Sequence, residues 1–111
     1  GMRQRAALAR TLMEDRPIVL MDEPFSALDA ITRIRLQDMA ARLLNGRTVL
    51  LVTHDPLEAL RLGHRIHVMA GLPARLGEAM EPAGDPPRRV DDPGMLRLQG
   101  ELLGRLDEAA R

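Results

Sequence analysis

The sequence predicts an α/β protein with a mostly parallel sheet, flanking helices and a C-terminal helix. Two apolar runs carry this prediction, I-V-L-M-D-E at residues 18–23 and V-L-L-V-T-H-D at residues 49–55. Each run ends in polar residues, and a segment with helical spacing separates them. Short apolar runs joined by a helix are typical of buried parallel strands. Polar groups at the ends of such strands form the sites of open α/β sheets.

Composition limits the class of protein. The 111 residues are enough for one domain, and an aromatic content of 1% leaves the core to aliphatic side chains. The net charge of +0 argues against nucleic acid or a membrane surface bound through bulk charge. The absence of Cys excludes disulfides and thiolate metal sites. No apolar run could span a bilayer and no signal peptide is visible, so we expect a cytoplasmic location.

The first two helices are predicted from spacing and from residues that begin or end helices. Residues 2–13 have helical spacing. Either Ser26 or Asp29 can cap a second helix that runs to about Leu44. The apolar residues of that helix fit one stripe, namely Leu28, Ile31, Ile34, Met39 and Leu43. Gly46 then ends the helix in a left-handed conformation.

A second strand and a short helix follow. Residues 48–53 form the strand in this prediction. Asp55, Pro56 and Glu58 are the cap, the first and the third residue of a helix that stops at Gly63.

The last part of the chain has weaker signals. Residues 65–70 are predicted as a third strand, and residues 71–81 as an irregular strand or a hairpin. Residues 82–94 contain four prolines and two glycines, which indicates a surface loop. The sequence then returns to helical spacing from residue 95 to residue 110 through Leu98, Leu102 and Leu106.

Asp22, Glu23 and His54 stand where the two strands end, and this combination suits hydrolysis of a magnesium nucleotide. The first carboxylate can hold the metal, the second can activate water, and the imidazole can face the terminal phosphate. A simpler interpretation is also open. The two carboxylates could merely end a strand, and His54 could be a polar residue before a helix cap.

Three segments in this order resemble the C-terminal half of an ABC-transporter ATPase subunit: G-M-R-Q-R-A-A-L-A-R-T-L, I-V-L-M-D-E-P-F-S-A-L-D and V-L-L-V-T-H-D. The resemblance is specific because several motifs occur in the family's order and spacing. It is good over residues 1–70 and looser beyond them. It implies a partial P-loop NTPase-type sheet in residues 1–81, a Pro-rich loop at 82–94 and a C-terminal helix at 95–111.

The resemblance also implies roles for individual residues. Asp22 matches the Walker B aspartate, which holds Mg²⁺, and Glu23 matches the catalytic glutamate. His54 matches the switch histidine, which contacts the γ-phosphate. Gly1 matches the last glycine of the signature motif, and residues 26–29 match the D-loop, so that Gly1, Ser26 and Asp29 are expected to contact nucleotide across a dimer.

The cofactors implied by the resemblance are ATP and Mg²⁺. The implied partners are transmembrane permease subunits and a second ATPase subunit, with no nucleic acid. The location implied is the inner face of the cell membrane. The tail is similar to that of importers in the nitrate, sulfonate, taurine and pyrimidine-precursor group.

One departure from the family concerns the phosphate loop. All 16 basic residues are Arg, and the loop G-x-x-x-x-G-K-[ST] requires Lys. The chain alone is therefore expected to be inactive, and it is interpreted as a fragment. A truncated sheet leaves an unpaired edge and an uncovered apolar face, so we expect self-association. The alternative function is a non-catalytic remnant or a self-associating interaction module.

Overall fold

The computed structural model describes residues 2–111, which form four helices and two two-stranded sheets. The elements in chain order are α1 (Met2–Met13), β1 (Ile18–Asp22), α2 (Ala30–Leu43), β2 (Thr48–Val52), α3 (Pro56–Leu62), β3 (Met69–Ala70), β4 (Arg75–Leu76) and α4 (Met95–Ala109). The predicted α/β class, with a parallel strand pair and a C-terminal helix, is confirmed. No helix within residues 2–111 is long and apolar enough to cross a bilayer.

The chain divides into two compact units, the first ending at His54 and the second beginning at Asp55. In the first unit β1 pairs with β2 in parallel, from Ile18 opposite Thr48 to Asp22 opposite Val52. Side chains alternate between the two faces of a strand, so the pair has two different surfaces.

The two faces of the strand pair differ: on one face β1 is buried while Val49 of β2 is 37% exposed, and the other face is open on both strands. On the buried face lie Val19 and Met21, and the core of this unit also contains Leu8, Leu12 and Phe25. The open face carries four apolar side chains, Ile18, Leu20, Leu50 and Val52, all of them exposed.

The beginning and end of α2 match the sequence prediction. Of the two cap candidates, Asp29 is the one used, since its Oδ1 accepts the Thr32 N–H at 2.9 Å. Gly46 follows the helix with φ +86°, the left-handed conformation that glycine adopts without strain. Both local signals therefore specify the bounds of the helix.

The predicted apolar stripe of α2 is wrong as a buried face. Ile31, Met39 and Leu43 are exposed, and the helix buries Gln37 and Ala40 instead. The buried residues Gln37, Ala40 and Leu44 follow one another at steps of three and four, so they form a face of their own that points away from Leu28 and Met39.

In the second unit, α3 begins and ends as predicted. Asp55 accepts the Leu57 N–H at 3.0 Å, and Gly63 ends the helix. The core of this unit is formed by Leu60, Ile66, Met80, Met95 and Leu102. Helix α3 packs against α4 through this cluster.

The predicted third strand at residues 65–70 is wrong in length. Only Met69–Ala70 forms a strand, and it pairs antiparallel with β4 in the hairpin that was one of the two alternatives for residues 71–81. Ile66 pairs with Met80 and Met69 pairs with Leu76, so the two residues 67–68 on one side face the three residues 77–79 on the other. An extra residue of this kind interrupts a strand as a β-bulge does.

The Pro-rich residues 82–94 are a loop, but not only a surface loop, because Arg88 is buried within it. Its guanidinium donates five hydrogen bonds of 2.6–3.0 Å, all to carbonyl oxygens, those of Leu60, Gly63, Pro82, Ala83 and Gly84. Burial lowers the pKa of Arg88 from its ordinary value. A guanidinium has five N–H donors, and here they join the loop to the C-terminal end of α3.

We expect the Arg88→Ala variant to lose about 3–5 kcal/mol of unfolding free energy in the second unit, because several buried carbonyl groups lose their donors. The Arg88→Lys variant is expected to recover only part of the loss, since an ammonium has three donors and no planar fork. Urea unfolding followed by circular dichroism measures both. Arg89→Ala is the control, because the neighbouring Arg89 is exposed and pairs with exposed Asp91. Equal unfolding midpoints for the Arg88 and Arg89 variants would contradict the prediction.

Candidate functional site

The candidate site begins at the C-terminal end of β1. Asp22 is the last residue of the strand and is exposed. Glu23 follows it and donates its backbone N–H to the Val52 carbonyl at 2.8 Å, so pairing with β2 continues for one more residue. Glu23 has φ +50°, a left-handed conformation that is uncommon for a residue other than glycine. Such backbone conformations are often found at functional sites.

The end of β2 supplies the imidazole. His54 lies two residues beyond Val52, and its Nδ1 contacts the Oε1 atom of Glu23. The side chain of His54 is 92% exposed, whereas that of Glu23 is 25% exposed. The imidazole of this pair is therefore accessible to solvent, whereas the carboxylate beside it is partly shielded.

A cleft in the first unit runs along α1 to the end of β1. It is lined by Gln4, Ala7, Leu8, Thr11, Met21, Asp22, Glu23 and Pro24. The two predicted carboxylates thus line one open cleft together with α1, and His54 is not among its lining residues.

Gln4 is a site residue that the sequence prediction missed. Its side-chain amide donates to the Glu23 carbonyl at 2.9 Å and accepts the Ala27 N–H at 2.9 Å. A signal was present in the sequence, because Gln4 precedes buried Leu8 and Leu12 at intervals of four residues. That spacing places it on the packed face of α1.

Ser26 and Asp29 lie on the loop between β1 and α2. The Ser26 hydroxyl donates to the Glu23 carbonyl at 3.2 Å and accepts from Gln4 at 3.2 Å. The two carboxylate oxygens of Asp29 accept hydrogen bonds from the backbone and the hydroxyl of Thr32. The structure thus links Ser26 to the site and uses Asp29 as a helix cap, while Gly1 lies outside the described residues.

The donor atoms at the site limit how a metal could be held. Within residues 2–111 no three His, Asp or Glu side chains are grouped closely enough to form a metal site of their own. Asp22 is one exposed carboxylate, and Mg²⁺ is commonly held by one or two carboxylates together with phosphates and water. The residues fit a magnesium ion that arrives with a phosphate ligand.

Comparison with known proteins gives relatives over nearly the whole chain, while no family model matches it. The chain is 50% identical over 109 residues to an uncharacterized ABC transporter ATP-binding protein of Haemophilus influenzae, covering 96% of this chain and 45% of the relative. It is 44% identical over 111 residues to an aliphatic sulfonates import ATP-binding protein of Pseudomonas syringae pv. tomato, covering 98% and 48%. A taurine import ATP-binding protein of Pelagibacter ubique is 49% identical over 78 residues, covering 68% and 29%. The chain thus spans about half the length of the first two relatives.

We expect the stabilisation by the Asp29 helix cap to be lost at acid pH, when the carboxylate is protonated. Hydrogen bonds from the backbone and side chain of Thr32 lower the pKa of Asp29 below its ordinary value of 3.8. A lowered pKa means that the stabilisation is complete above the ordinary value and is lost as the pH falls through the pKa of the folded state. The Thr32 amide shift in NMR spectra should therefore titrate below the ordinary range.

The control for this prediction is Asp29→Asn, which keeps a capping oxygen but cannot titrate. Its Thr32 amide shift should not change over the same pH range. A Thr32 midpoint at or above the ordinary aspartate value in the unaltered chain would contradict the prediction.

Proposed function

The chain is a homologue of the ATP-binding proteins of ABC transporters, matching those of the sulfonate and taurine importer group, and we propose that it forms the ATP-hydrolysing part of such an importer subunit. The observation that carries the proposal is the Glu23–His54 pair at neighbouring strand ends, with Asp22 beside it. We assign residues 1–81 to the C-terminal part of an ABC ATPase domain with an NTPase-type sheet. Residues 82–94 are the loop, and residues 95–111 the C-terminal helix.

Each residue of the pair has a chemical task in this proposal. Glu23 polarises the attacking water, and its limited exposure supports this because a carboxylate partly shielded from solvent is a stronger acceptor for one held water. His54 faces the terminal phosphate, and its exposed ring is open to a ligand. Asp22 holds Mg²⁺, which when bound offsets the charge on the phosphates.

The remaining assigned residues serve the contact between two subunits. Ser26 and Asp29 lie on the same loop as Glu23. That loop can therefore contact a neighbouring subunit while it also forms part of the site. Gly1 is assigned to the nucleotide contact by its position in the motif alone. A second ATPase subunit is therefore the proposed partner at this surface.

Coupling of ATP hydrolysis to solute uptake requires permease subunits, which we propose as the partners at the inner face of the membrane. Two of the relatives named above are ATP-binding proteins for the import of aliphatic sulfonates and of taurine. We infer a small solute of that group, or of the related nitrate and pyrimidine-precursor group. The residues of this chain act on nucleotide and not on the solute.

The open sheet face supports self-association of this chain. Ile18, Leu20, Leu50 and Val52 form an apolar surface of two strands on the first unit. Burial of such a surface is favourable by about 25 cal/mol for each Å² removed from water. We propose that copies of the 111-residue chain cover this face in solution.

Hydrolysis is best tested in a chimera, because the chain spans about half of its relatives. The chain replaces the matched residues of the sulfonate relative, and the turnover of Mg-ATP is measured. Glu23→Gln is expected to lower turnover about 100-fold or more while Mg-ATP still binds, since the general base is lost and the shape is kept. The 111-residue chain by itself is expected to show no hydrolysis.

Asp15→Asn is the matched control for this experiment, because Asp15 is an exposed carboxylate of the same unit outside the site. It should leave both binding and turnover unchanged. A Glu23→Gln chimera that turns over at the unaltered rate would exclude Glu23 as the catalytic base.

Self-association is tested by light scattering over a range of concentrations. The Leu20→Thr, Leu50→Thr double variant is expected to be monomeric, because it makes the open face polar while keeping residues that favour strands. Leu43→Thr is the control, since Leu43 is exposed on α2 and not on the sheet. A stable monomer of the unaltered chain at high concentration would refute the proposal.

A further inference from the structure

The side chain of Gln4 joins the first turns of α1 to the loop that follows β1. Its Nε2 donates to the Glu23 carbonyl at 2.9 Å and to Ser26 Oγ at 3.2 Å. Its Oε1 accepts the Ala27 N–H at 2.9 Å. One amide therefore contacts three positions of the loop, 19 to 23 residues away in sequence.

Gln4 and the sheet bond to different backbone groups of Glu23. The Glu23 N–H is held by the Val52 carbonyl at 2.8 Å, and its own carbonyl is held by Gln4. The backbone between these two bonds has φ +50°. A non-glycine residue stays in that region only when its surroundings determine it.

The hydrogen bonds that the loop itself makes to the Glu23 carbonyl are longer than the one from Gln4. Within the loop, the Ser26 N–H reaches the Glu23 carbonyl at 3.4 Å and the Ser26 hydroxyl reaches it at 3.2 Å. Both distances are longer than the 2.9 Å bond from Gln4 to the same oxygen. The amide from α1 is therefore the closest donor to the Glu23 carbonyl.

We propose that Gln4 is a positioning residue, which holds the Glu23 backbone in its left-handed conformation and thereby directs the carboxylate toward His54. Gln4 does not reach the reacting atoms itself. The catalytic meaning of this placement rests on the proposed function, whereas the placement itself does not.

Two substitutions distinguish the role of the Gln4 amide as a hydrogen-bond donor from its role as an acceptor. Gln4→Met keeps the length of the side chain and removes both. Gln4→Glu keeps the oxygen that accepts from Ala27 but replaces the NH₂ group that donates to Glu23 and Ser26 with a negatively charged oxygen that cannot donate. Thr11→Ala is the matched control on α1, because Thr11 lines the same cleft and its hydroxyl bonds only within the helix, to the Ala7 carbonyl.

Two measurements on the 111-residue chain, neither of which involves ATP, test the proposal. Hydrogen exchange reports protection of the Ala27 amide, which should fall about 10-fold in Gln4→Met and persist in Gln4→Glu. The contact between His54 and Glu23 is measured by NMR as the change in the His54 ring shifts when Glu23→Gln is introduced. Glu23→Gln should change these shifts when it is introduced into the unaltered chain or into the Thr11→Ala variant. It should leave them unchanged when it is introduced into either Gln4 variant.

The outcomes are distinct. Loss of the His54 response in Gln4→Glu with Ala27 still protected supports positioning through the donor, because the helix and the loop are then still joined. A full His54 response in both Gln4 variants overturns the proposal, whatever happens to Ala27. If Gln4→Met fails to fold, Gln4→Glu alone decides in the same way. A failure to bind or hydrolyse ATP would count against the proposed function and leave these readouts unaffected.

Discussion

The register between β1 and β2 is the constraint on which the candidate site depends. It sets Asp22 opposite Val52, and the bond from the Glu23 N–H to the Val52 carbonyl extends it by one residue. His54 follows Val52 by two residues, so the imidazole and the Glu23 carboxylate leave the same edge of the sheet. A slip of one residue would turn every side chain of one strand to the other face. The contact between Glu23 and His54 would then be lost.

Features that depend on neighbouring residues could be predicted from the sequence. The cap at Asp29 bonds to a residue three positions on, and the cap at Asp55 to one two positions on. The bounds of α2 and α3 follow from such local bonds together with Gly46 and Gly63. The meeting of the two strand ends was likewise predictable, because parallel strands joined by a helix end at the same edge.

Features that depend on distant partners could not be predicted. The left-handed backbone of Glu23 reflects bonds to Val52 and Gln4, and neither is visible in the sequence around it. The short β3 reflects the extra residue between two pairings, which no apolar pattern reveals. The buried face of α2 includes Gln37, a polar residue that periodicity alone assigns to the surface.

Arg88 has a consequence for how the Pro-rich loop can change in evolution. All five acceptors of its guanidinium are main-chain oxygens, and every residue type carries one. Arg88 therefore fixes the backbone path of the loop through hydrogen bonds to main-chain atoms, which do not depend on the side chains of residues 82–84. Pro82 and Ala83 are therefore not fixed by this contact, whereas Gly84, with φ +82°, has a backbone conformation that favours glycine. A fixed arginine and a fixed glycine are therefore expected in this region, beside positions that vary more.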